Sequence, residues 1–337
     1  MAWQVLSVLI VSLVLTCCVE CLHLHSHKGR QALNGHKLKP LTIQQGSVYK
    51  KQRPMTSVGI ISLVRHPSNI ETWLQIHQQL GVRHFYICVE DSDDVFEYLD
   101  KLPHVTVKKS TEKDDGKDEY WTLMKRQGKW QEEAFWLARN DAHGVKWLVF
   151  MDADEILWGN LSVIEALPEK VRTFRLNNYE AVYDKVPTLI DNCFEATFFL
   201  KCYGNENRLS SGRSRCVTYA NGKAGGRIAK DVYPFGPHYM GSHVAGVGGP
   251  TLDGIVIRHY DSCTFSKWKD KMFHLIALKD HKNLTGSYYR ESVEALKSNN
   301  ILKMYKVYKQ YRVLTKKELE EIKRKGLQET SSMSIIV

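Results

Sequence analysis

Short apolar runs alternate with amphipathic stretches between residues 57 and 151, and this alternation constrains the fold more than any other feature. Amphipathic patterns predict helices over about residues 70–80 and 121–142. Because strands that alternate with helices form a mostly parallel sheet with helices on its faces, the sequence predicts an α/β fold. The apolar runs, rich in β-branched and aromatic residues as strands are, are SVGIISLV, HFYICVE, HVTVKK and KWLVFM, at residues 57–64, 84–90, 104–109 and 146–151.

The N-terminal segment predicts entry into the secretory pathway. Residues 1–19 carry no charged side chain. Their apolar core of about fifteen residues fits a signal peptide and is short for a bilayer span of roughly 20 residues, so residues 1–21 are either a signal peptide or a single-pass signal anchor. Polar residues without periodicity predict a flexible stem over residues 22–54. The protein is therefore expected to be anchored in the Golgi or ER lumen, or to be secreted.

The rest of the chain divides into a globular domain, predicted over residues 55–280, and a helical C-terminal extension over residues 281–337. The spacing Thr315-Lys316-Lys317-Glu318 predicts a capping box at the start of a final helix. A second capping-box spacing, Ser68-Asn69-Ile70-Glu71, precedes the helix predicted from residue 70.

Cysteine usage agrees with an oxidising compartment. Four cysteines in the second half of the chain are expected to form disulfides there, namely Cys193, Cys202, Cys216 and Cys263. Cys88 lies inside an apolar run and is predicted to be a buried thiol. Beyond Cys18 and Cys21 of the predicted targeting segment the chain has no C-x-x-C pair, which argues against a structural zinc site. The formal net charge is +10, and the Lys and Arg residues are spread along the chain among many acidic residues. Because no basic stripe is evident, no nucleic-acid partner is predicted.

The segment WLVFMDADEILW at residues 147–158 ends an apolar strand with clustered acids. Ligands of open α/β sheets bind beyond the carboxyl ends of the strands, and a second acidic cluster at residues 90–94 follows another strand. In an extended segment Asp152 and Asp154 point to the same side, and two close carboxylates repel one another unless a cation lies between them. Oxygen ligands suit Mg²⁺ or Mn²⁺, so the pattern predicts a divalent metal site.

Two other interpretations of these acids remain open. They can cap the helix that begins near Leu161 or simply lie in solvent at a strand end. Alternatively, a DxD motif after an apolar strand is typical of haloacid-dehalogenase-type phosphatases, in which Asp152 would attack phosphorus. Three predicted strands precede the motif here and Ile156 occupies a position where those enzymes usually have Thr or Val, which argues against the phosphatase.

Five segments, in this order, resemble blocks of family 92 and related family 2-like glycosyltransferases, whose DxD block reads WLAFLDxDEFL. The resemblance covers roughly residues 56–275 and implies a GT-A fold. It also implies a metal-dependent, inverting hexosyltransferase that moves a sugar from a UDP- or GDP-linked donor to a glycan, glycoprotein or glycolipid hydroxyl. The segments are ETWLQIHQQLGVRHFYICVEDSDD, QEEAFWLARNDAHGVKWLVFMDADEIL, NGKAGGRI, GPHYM and IRHYDSCTFSKWKDK, at residues 71–94, 131–157, 221–228, 236–240 and 257–271.

One departure from the family pattern leaves a second function open. The family has KNE or RNE after its first strand, whereas this chain reads Val64-Arg65-His66-Pro67. The acidic residue is missing, and a catalytically inactive nucleotide- or sugar-binding protein on the same fold is therefore the alternative.

The candidate site residues fall into three groups. The donor is predicted to contact Arg65, Asp91, Ser92, Asp152, Lys223 and Arg227. The metal ion, Mn²⁺ or Mg²⁺, is predicted to bind Asp152 and Asp154, with His259 or His238 as a further ligand because neutral imidazole suits manganese. An inverting transfer also needs a general base for the acceptor hydroxyl, for which the candidates are Asp253 and Glu155.

Overall fold

The computed structural model of the protein describes residues 53–67, 69–110, 119–141, 143–188, 194, 196, 198–202, 208–214, 216–277 and 287–330. The predicted signal segment, most of the predicted stem, and Cys193 lie outside the described residues. Among the residues described, no helix combines the length and the hydrophobicity that crossing a membrane requires.

A six-stranded sheet forms the centre of the fold and confirms the predicted α/β class. Its strand order is β3-β2-β1-β4-β9-β6, in which β1 to β4 run parallel and β9 runs antiparallel to both of its neighbours. The order 3-2-1-4 is that of a Rossmann-type half, which has its ligand crevice where the strand order reverses, between β1 and β4. The strands are β1 (Val58–Arg65), β2 (His84–Glu90), β3 (Val105–Lys109), β4 (Trp147–Phe150), β6 (Thr173–Leu176) and β9 (Lys223–Arg227).

Helices cover both faces of this sheet because its central strands are apolar on both sides. Ile60 and Val64 of β1 belong to one core, together with Trp73 of the first helix. Ile61 and Leu63 of the same strand belong to a second core. The helices that follow β1, β2 and β3 are α1 (Ile70–Gln79), α2 (Asp93–Leu99) and α3 (Glu119–Asn140).

A second sheet begins with β5, the strand that follows β4 along the chain. Residues 151–154, which contain the DxD motif, join β4 to β5 and so carry the chain from one sheet into the other. The second sheet has the order β14-β8-β7-β13-β5. Its strands are β5 (Glu155–Gly159), β7 (Asn178–Val182), β8 (Phe198–Lys201), β13 (Ile255–His259) and β14 (Gln328–Thr330).

The remaining described elements are a short helix, a small sheet and four C-terminal helices. The short helix is α4 (Ser162–Glu165), and the small sheet consists of β10 (Val232–Pro234), β11 (Met240–Ser242) and β12 (Gly246–Val247). The C-terminal helices are α5 (Phe265–Ala277), α6 (Ser287–Lys297), α7 (Ile301–Arg312) and α8 (Lys316–Lys325).

The C-terminal segment is joined to the second sheet. Strand β14 pairs antiparallel with β8, and the residues around the end of α7 exchange backbone hydrogen bonds with Tyr183, just after β7. Trp268, Tyr288 and Tyr308 form an apolar core among the helices. The predicted capping box at Thr315 is confirmed, since its hydroxyl accepts from the Glu318 backbone N–H and the Glu318 carboxylate accepts from the Thr315 backbone N–H.

The predictions for the cysteines and for the start of α1 had different outcomes. Cys202 and Cys216 form a disulfide, Cys263 is disulfide-bonded, and Cys88 is a buried thiol, as expected. Asn69 is the N-cap residue of α1 but its side chain makes no capping hydrogen bond, and Ser68 lies outside the described residues.

Candidate functional site

The DxD motif lies at the carboxyl end of β4, beside the start of β9 and the end of β13. The segment is not extended as expected, because Ala153 and Asp154 lie in a turn. The two carboxylates consequently contact different partners: Asp152 pairs with Lys223 at 2.5 Å, and Asp154 faces His259 at 3.6 Å. The antiparallel pairing of β13 with β5, in which His259 lies opposite Glu155, brings His259 to this position.

The first cluster is built around His259, which is buried. Its Nε2 faces Asp154 Oδ2, and its Nδ1 lies 3.1 Å from Glu180 Oε2. Burial alone would lower the pKa of His259, but the charges of Glu180 and Asp154 outweigh it and raise the pKa well above its usual value. Burial likewise opposes ionisation of Asp154, yet His259 and Lys271 hold its pKa below the ordinary range. Both groups are thus ionised while no cation is bound, and a metal ion at Nε2 would displace the proton of His259.

Asp261 completes this cluster from the loop after β13. One of its oxygens accepts from Lys271 and the other from Arg312, so both are already engaged. Lys271 Nζ also lies 3.8 Å from Asp154 Oδ2. Ligand atoms of Asp154, His259 and Asp261 lie within 4.8 Å of one another.

The second cluster is built around Lys223, whose side chain is 1% exposed. Its ammonium contacts Asp152 and lies 3.3 Å from Glu155 Oε2, above the rings of Phe150 and Tyr219. Burial would lower the pKa of Lys223, but the two carboxylates raise it. Gly222 permits the approach, because it has a φ of 65° and a Cβ there would collide with the carbonyl oxygen of Leu176.

Glu155 is fully enclosed, which does not suit the role of general base predicted for it. Its carboxylate accepts from the Asp152 backbone N–H at 2.9 Å and from the Tyr219 hydroxyl. Burial raises the pKa of Glu155 to about 7, although Lys223 acts in the opposite direction. With 0% exposure, Glu155 organises the turn that carries Asp152 and does not face an acceptor.

His238 borders the second cluster, 4.9 Å from the Tyr219 ring. Its Nδ1 donates to the Gly222 carbonyl oxygen at 2.7 Å. Burial, followed by the nearby charge of Lys223, lowers the pKa of His238 to about 4, so the ring is neutral at pH 7. His238 therefore lies on the Lys223 side of the site, and His259 is the histidine that faces Asp154.

The predicted donor residues at the ends of β1 and β2 lie together. Arg65 pairs with Asp91 at 3.0 Å, and both side chains are partly exposed. Ser92 accepts from the His66 backbone N–H at 2.8 Å. This arrangement ties the ends of β1 and β2 together at the edge of the sheet where the DxD motif lies.

Two predicted residues lie elsewhere. Arg227 is opposite Trp147 at the start of β4, and its guanidinium donates to the carbonyls of Leu167 and Pro168, so β9 carries it to the other edge of the sheet. Asp253 precedes β13, whose first residue Ile255 pairs with Gly159. The strand Ile255–His259 itself spans roughly 13 Å, so Asp253, which lies in a bend before it, is too far from His259 to act in the same cluster.

Several residues of the site were not predicted from the sequence. Glu180 interrupts the apolar strand NYEAV, and Asp261 directly follows the segment IRHY. The only sequence signal that could have identified these two residues is a carboxylate inside or next to an apolar segment. Arg312 and Tyr219 come from distant parts of the chain. Gln127 of α3 donates to Asp152 at 3.4 Å, and Arg126 beside it forms a buried ion pair with Glu90.

The first cluster fits a hard divalent cation. Asp154 supplies a carboxylate oxygen and His259 an imidazole nitrogen, both suited to manganese. A histidine ligand usually has its other nitrogen bonded to a carboxylate, which fixes the ring, and Glu180 provides this contact. Glu180 also approaches Cys202 and Cys216, but these two sulfurs form a disulfide and are not available as ligands.

The chain is similar to two curated proteins of Arabidopsis thaliana, both named glycosyltransferase-like. It is 26% identical to one over 236 residues, which are 59% of this chain and 51% of that protein. It is 24% identical to the other over 232 residues, 58% of this chain and 45% of that protein. The chain therefore spans about half the length of the curated relatives it matches. No protein-family model matches it.

Solved structures with detectable similarity are distant. The inositol-1-phosphate CTP transferase from T. maritima aligns with 67% of this chain and 96% of its own at 10% identity, with a TM-score of 0.30. The 4-diphosphocytidyl-2C-methyl-D-erythritol synthase from Anaerococcus prevotii aligns with 40% and 60% at 11% identity, with a TM-score of 0.22.

Proposed function

We propose that the protein is a metal-dependent glycosyltransferase that uses a nucleotide-sugar donor. The relatives named glycosyltransferase-like support a transferase of this general kind. The observation that carries the proposal is the pair formed by Asp154 and His259, backed by Glu180, at the ligand-binding edge of the central sheet. Such a pair offers one carboxylate and one imidazole to Mn²⁺ or Mg²⁺ and leaves further coordination positions for phosphate oxygens.

The residues around the pair have distinct roles in this proposal. A bound ion would stabilise the departing nucleoside diphosphate as a Lewis acid. Lys223 and Glu155 hold Asp152 in place beside the donor. Arg65, Asp91 and Ser92 lie at the ends of β1 and β2 and would orient the nucleoside and diphosphate of a UDP- or GDP-linked sugar.

The proposal extends to the type of transfer and to the cellular compartment. We expect a hexosyltransferase that inverts the anomeric centre and transfers to a hydroxyl of a glycan, glycoprotein or glycolipid. The disulfide between Cys202 and Cys216 supports an oxidising compartment, in keeping with the Golgi or ER lumen or with secretion.

Turnover of nucleotide sugars tests the proposal. The purified chain is incubated with UDP- and GDP-linked hexoses in the presence of Mn²⁺ or of a chelator, and released nucleoside diphosphate is measured by chromatography. We expect release that requires the metal and is lost in Asp154→Asn, whereas Asp253→Asn, at the far end of β13, serves as the matched carboxylate control. Absence of metal-dependent release with every donor would contradict the enzymatic function.

The alternative, a nucleotide- or sugar-binding protein without turnover, is favoured by one observation. Arg65 is paired with Asp91, and the segment Arg65-His66-Pro67 lacks the acid that ends the KNE or RNE pattern of the glycosyltransferases. This alternative predicts a manganese-dependent rise in melting temperature with UDP or GDP but no release of diphosphate from any donor. The same preparation therefore distinguishes the two functions.

A further inference from the structure

We propose that Arg312, the last residue of α7, is a positioning residue for the metal site. It fixes the carboxylates of Glu180 and Asp261 so that His259 presents its Nε2 to Asp154. The inference rests on the proposed metal-dependent function, and it assigns part of that function to the C-terminal helices.

The guanidinium of Arg312 spans two buried carboxylates. Its Nη1 donates to Glu180 Oε1 at 2.6 Å, and its Nη2 donates to Asp261 Oδ2 and lies 3.4 Å from the Tyr288 hydroxyl. Arg312 is 0% exposed, as is the Asp261 side chain. A planar fork of N–H groups can hold two acceptors in fixed directions, which a single ammonium cannot do.

Glu180 transmits this constraint to the histidine. One of its oxygens is held by Arg312, and the other lies 3.1 Å from His259 Nδ1. The carboxylate therefore cannot rotate without breaking a contact on one side. Because the bond at Nδ1 sets the orientation of a ligand histidine, the direction of His259 Nε2 depends on Arg312 through Glu180.

The backbone holds Arg312 in register with the strand that carries Glu180. The Tyr183 N–H donates to the Arg312 carbonyl at 3.1 Å, and the Leu314 N–H donates to the Tyr183 carbonyl at 2.7 Å. Tyr308, one turn earlier in α7, donates to the Cys263 carbonyl at 2.6 Å and so ties the helix to the loop that contains Asp261. The end of α7 is thus fixed against both elements that it aligns.

Arg312 supplies one of the two permanent positive charges of the cluster. Three carboxylates, from Glu180, Asp261 and Asp154, are held there by Arg312, Lys271 and the His259 ring. Without the guanidinium, Glu180 and Asp261 would compete for His259 and Lys271. Both of these groups face Asp154, so the geometry of the metal site would change even if the fold survived.

Manganese affinity of the full chain tests the inference. Free Mn²⁺ is measured by electron paramagnetic resonance during titration of the wild type and of Arg312→Lys, with thermal unfolding recorded in parallel. Because changes in residues that orient ligands typically lower metal affinity 10- to 100-fold, we expect Mn²⁺ to bind roughly 10- to 100-fold more weakly to Arg312→Lys.

Arg213→Lys is the matched control. Arg213 is another buried arginine, pairing with Glu318 at 3.0 Å and donating to the Val313 carbonyl at 2.7 Å, next to Arg312. Among the described residues, no hydrogen bond or ion pair links Arg213 to Glu180 or His259. We expect this variant to lower the melting temperature but to keep the wild-type affinity for Mn²⁺.

The outcomes separate this inference from the proposed function. If the wild type binds Mn²⁺ and Arg312→Lys binds it equally well, or no more weakly than Arg213→Lys, the positioning role is refuted and the proposed function stands. If the wild type binds no Mn²⁺, both are refuted. Should Arg312→Lys fail to fold, Glu180→Gln decides, since Arg312 acts on His259 through Glu180: wild-type affinity in that variant also refutes the role.

Discussion

Replacement of Lys223 by methionine tests whether burial or distance sets the strength of an ion pair in this protein. Methionine keeps much of the aliphatic chain but removes the ammonium between Asp152 and Glu155. Asp152 is 35% exposed and can be hydrated, whereas Glu155 is 0% exposed and loses its cation. Breaking a buried ion pair costs about 3–5 kcal/mol, because the remaining carboxylate must either stay charged in the interior or take up a proton.

The comparison is with Lys108→Met at the surface. Lys108 contacts both oxygens of Glu133, at 2.8 and 2.6 Å, so its geometry is as close as that of Lys223. Both partners are, however, one third or more exposed. Exposed pairs contribute about 0–1 kcal/mol, so Lys108→Met should scarcely change the stability.

Thermal unfolding in the presence of a chelator measures both variants. For a protein of this size a loss of 1 kcal/mol lowers the melting temperature by about 2 °C, so Lys223→Met should melt about 6–10 °C lower. Lys108→Met should lie within about 2 °C of the wild type. Equal losses in the two variants, or an unchanged melting temperature in Lys223→Met, would refute the argument from burial.

Three further predictions concern other parts of the molecule. Burial lowers the pKa of His77 to about 3, below its value in the unfolded chain. Below about pH 6.5 the unfolded state therefore binds a proton that the folded state does not. The free energy of unfolding consequently decreases as the pH is lowered, by about 2 kcal/mol at pH 5. Urea titrations should show a loss of stability between about pH 6.5 and pH 5 that is about 2 kcal/mol smaller in His77→Gln than in the wild type, since other buried histidines such as His238 also lower the stability over the same range. The disulfide between Cys202 and Cys216, 14 residues apart, should contribute about 3 kcal/mol, measured as the shift in urea midpoint of the Cys202→Ser, Cys216→Ser double variant. Thr315→Ala should cost about 1 kcal/mol through loss of the capping box, while exposed Lys316→Ala, one residue later, should leave the urea midpoint unchanged.

The parts of the fold that depend on local pattern could be predicted from the sequence. The apolar runs at residues 57–64, 84–90 and 146–151 became β1, β2 and β4, because continuous burial on both faces leaves a plain signal. The capping box at Thr315 is equally local. The second sheet was not predicted, since β5, β7 and β13 pair over long separations and their register is invisible in any one segment.

The candidate site was predictable to a similar degree. Clustered acids after β4 indicated where the site lies, and His259 followed from the resemblance of its segment to a known motif. The separate environments of Asp152 and Asp154 could not be foreseen, because they arise from a turn at residues 153 and 154. The contact of Arg312 could not be predicted either, because only folding brings this residue within hydrogen-bonding distance of Glu180, 132 residues earlier.

The position of β14 has a consequence for the solubility of shortened forms of the protein. β14 covers one side of β8, whose sequence is Phe198-Phe-Leu-Lys201. A chain cleaved after Gly326 would leave the N–H and C=O groups of that apolar strand open on the outer side. Such an uncovered border is a template for strand addition from another molecule. Proteolysis at this turn would therefore expose a strand border that recruits further copies of the chain and promotes aggregation.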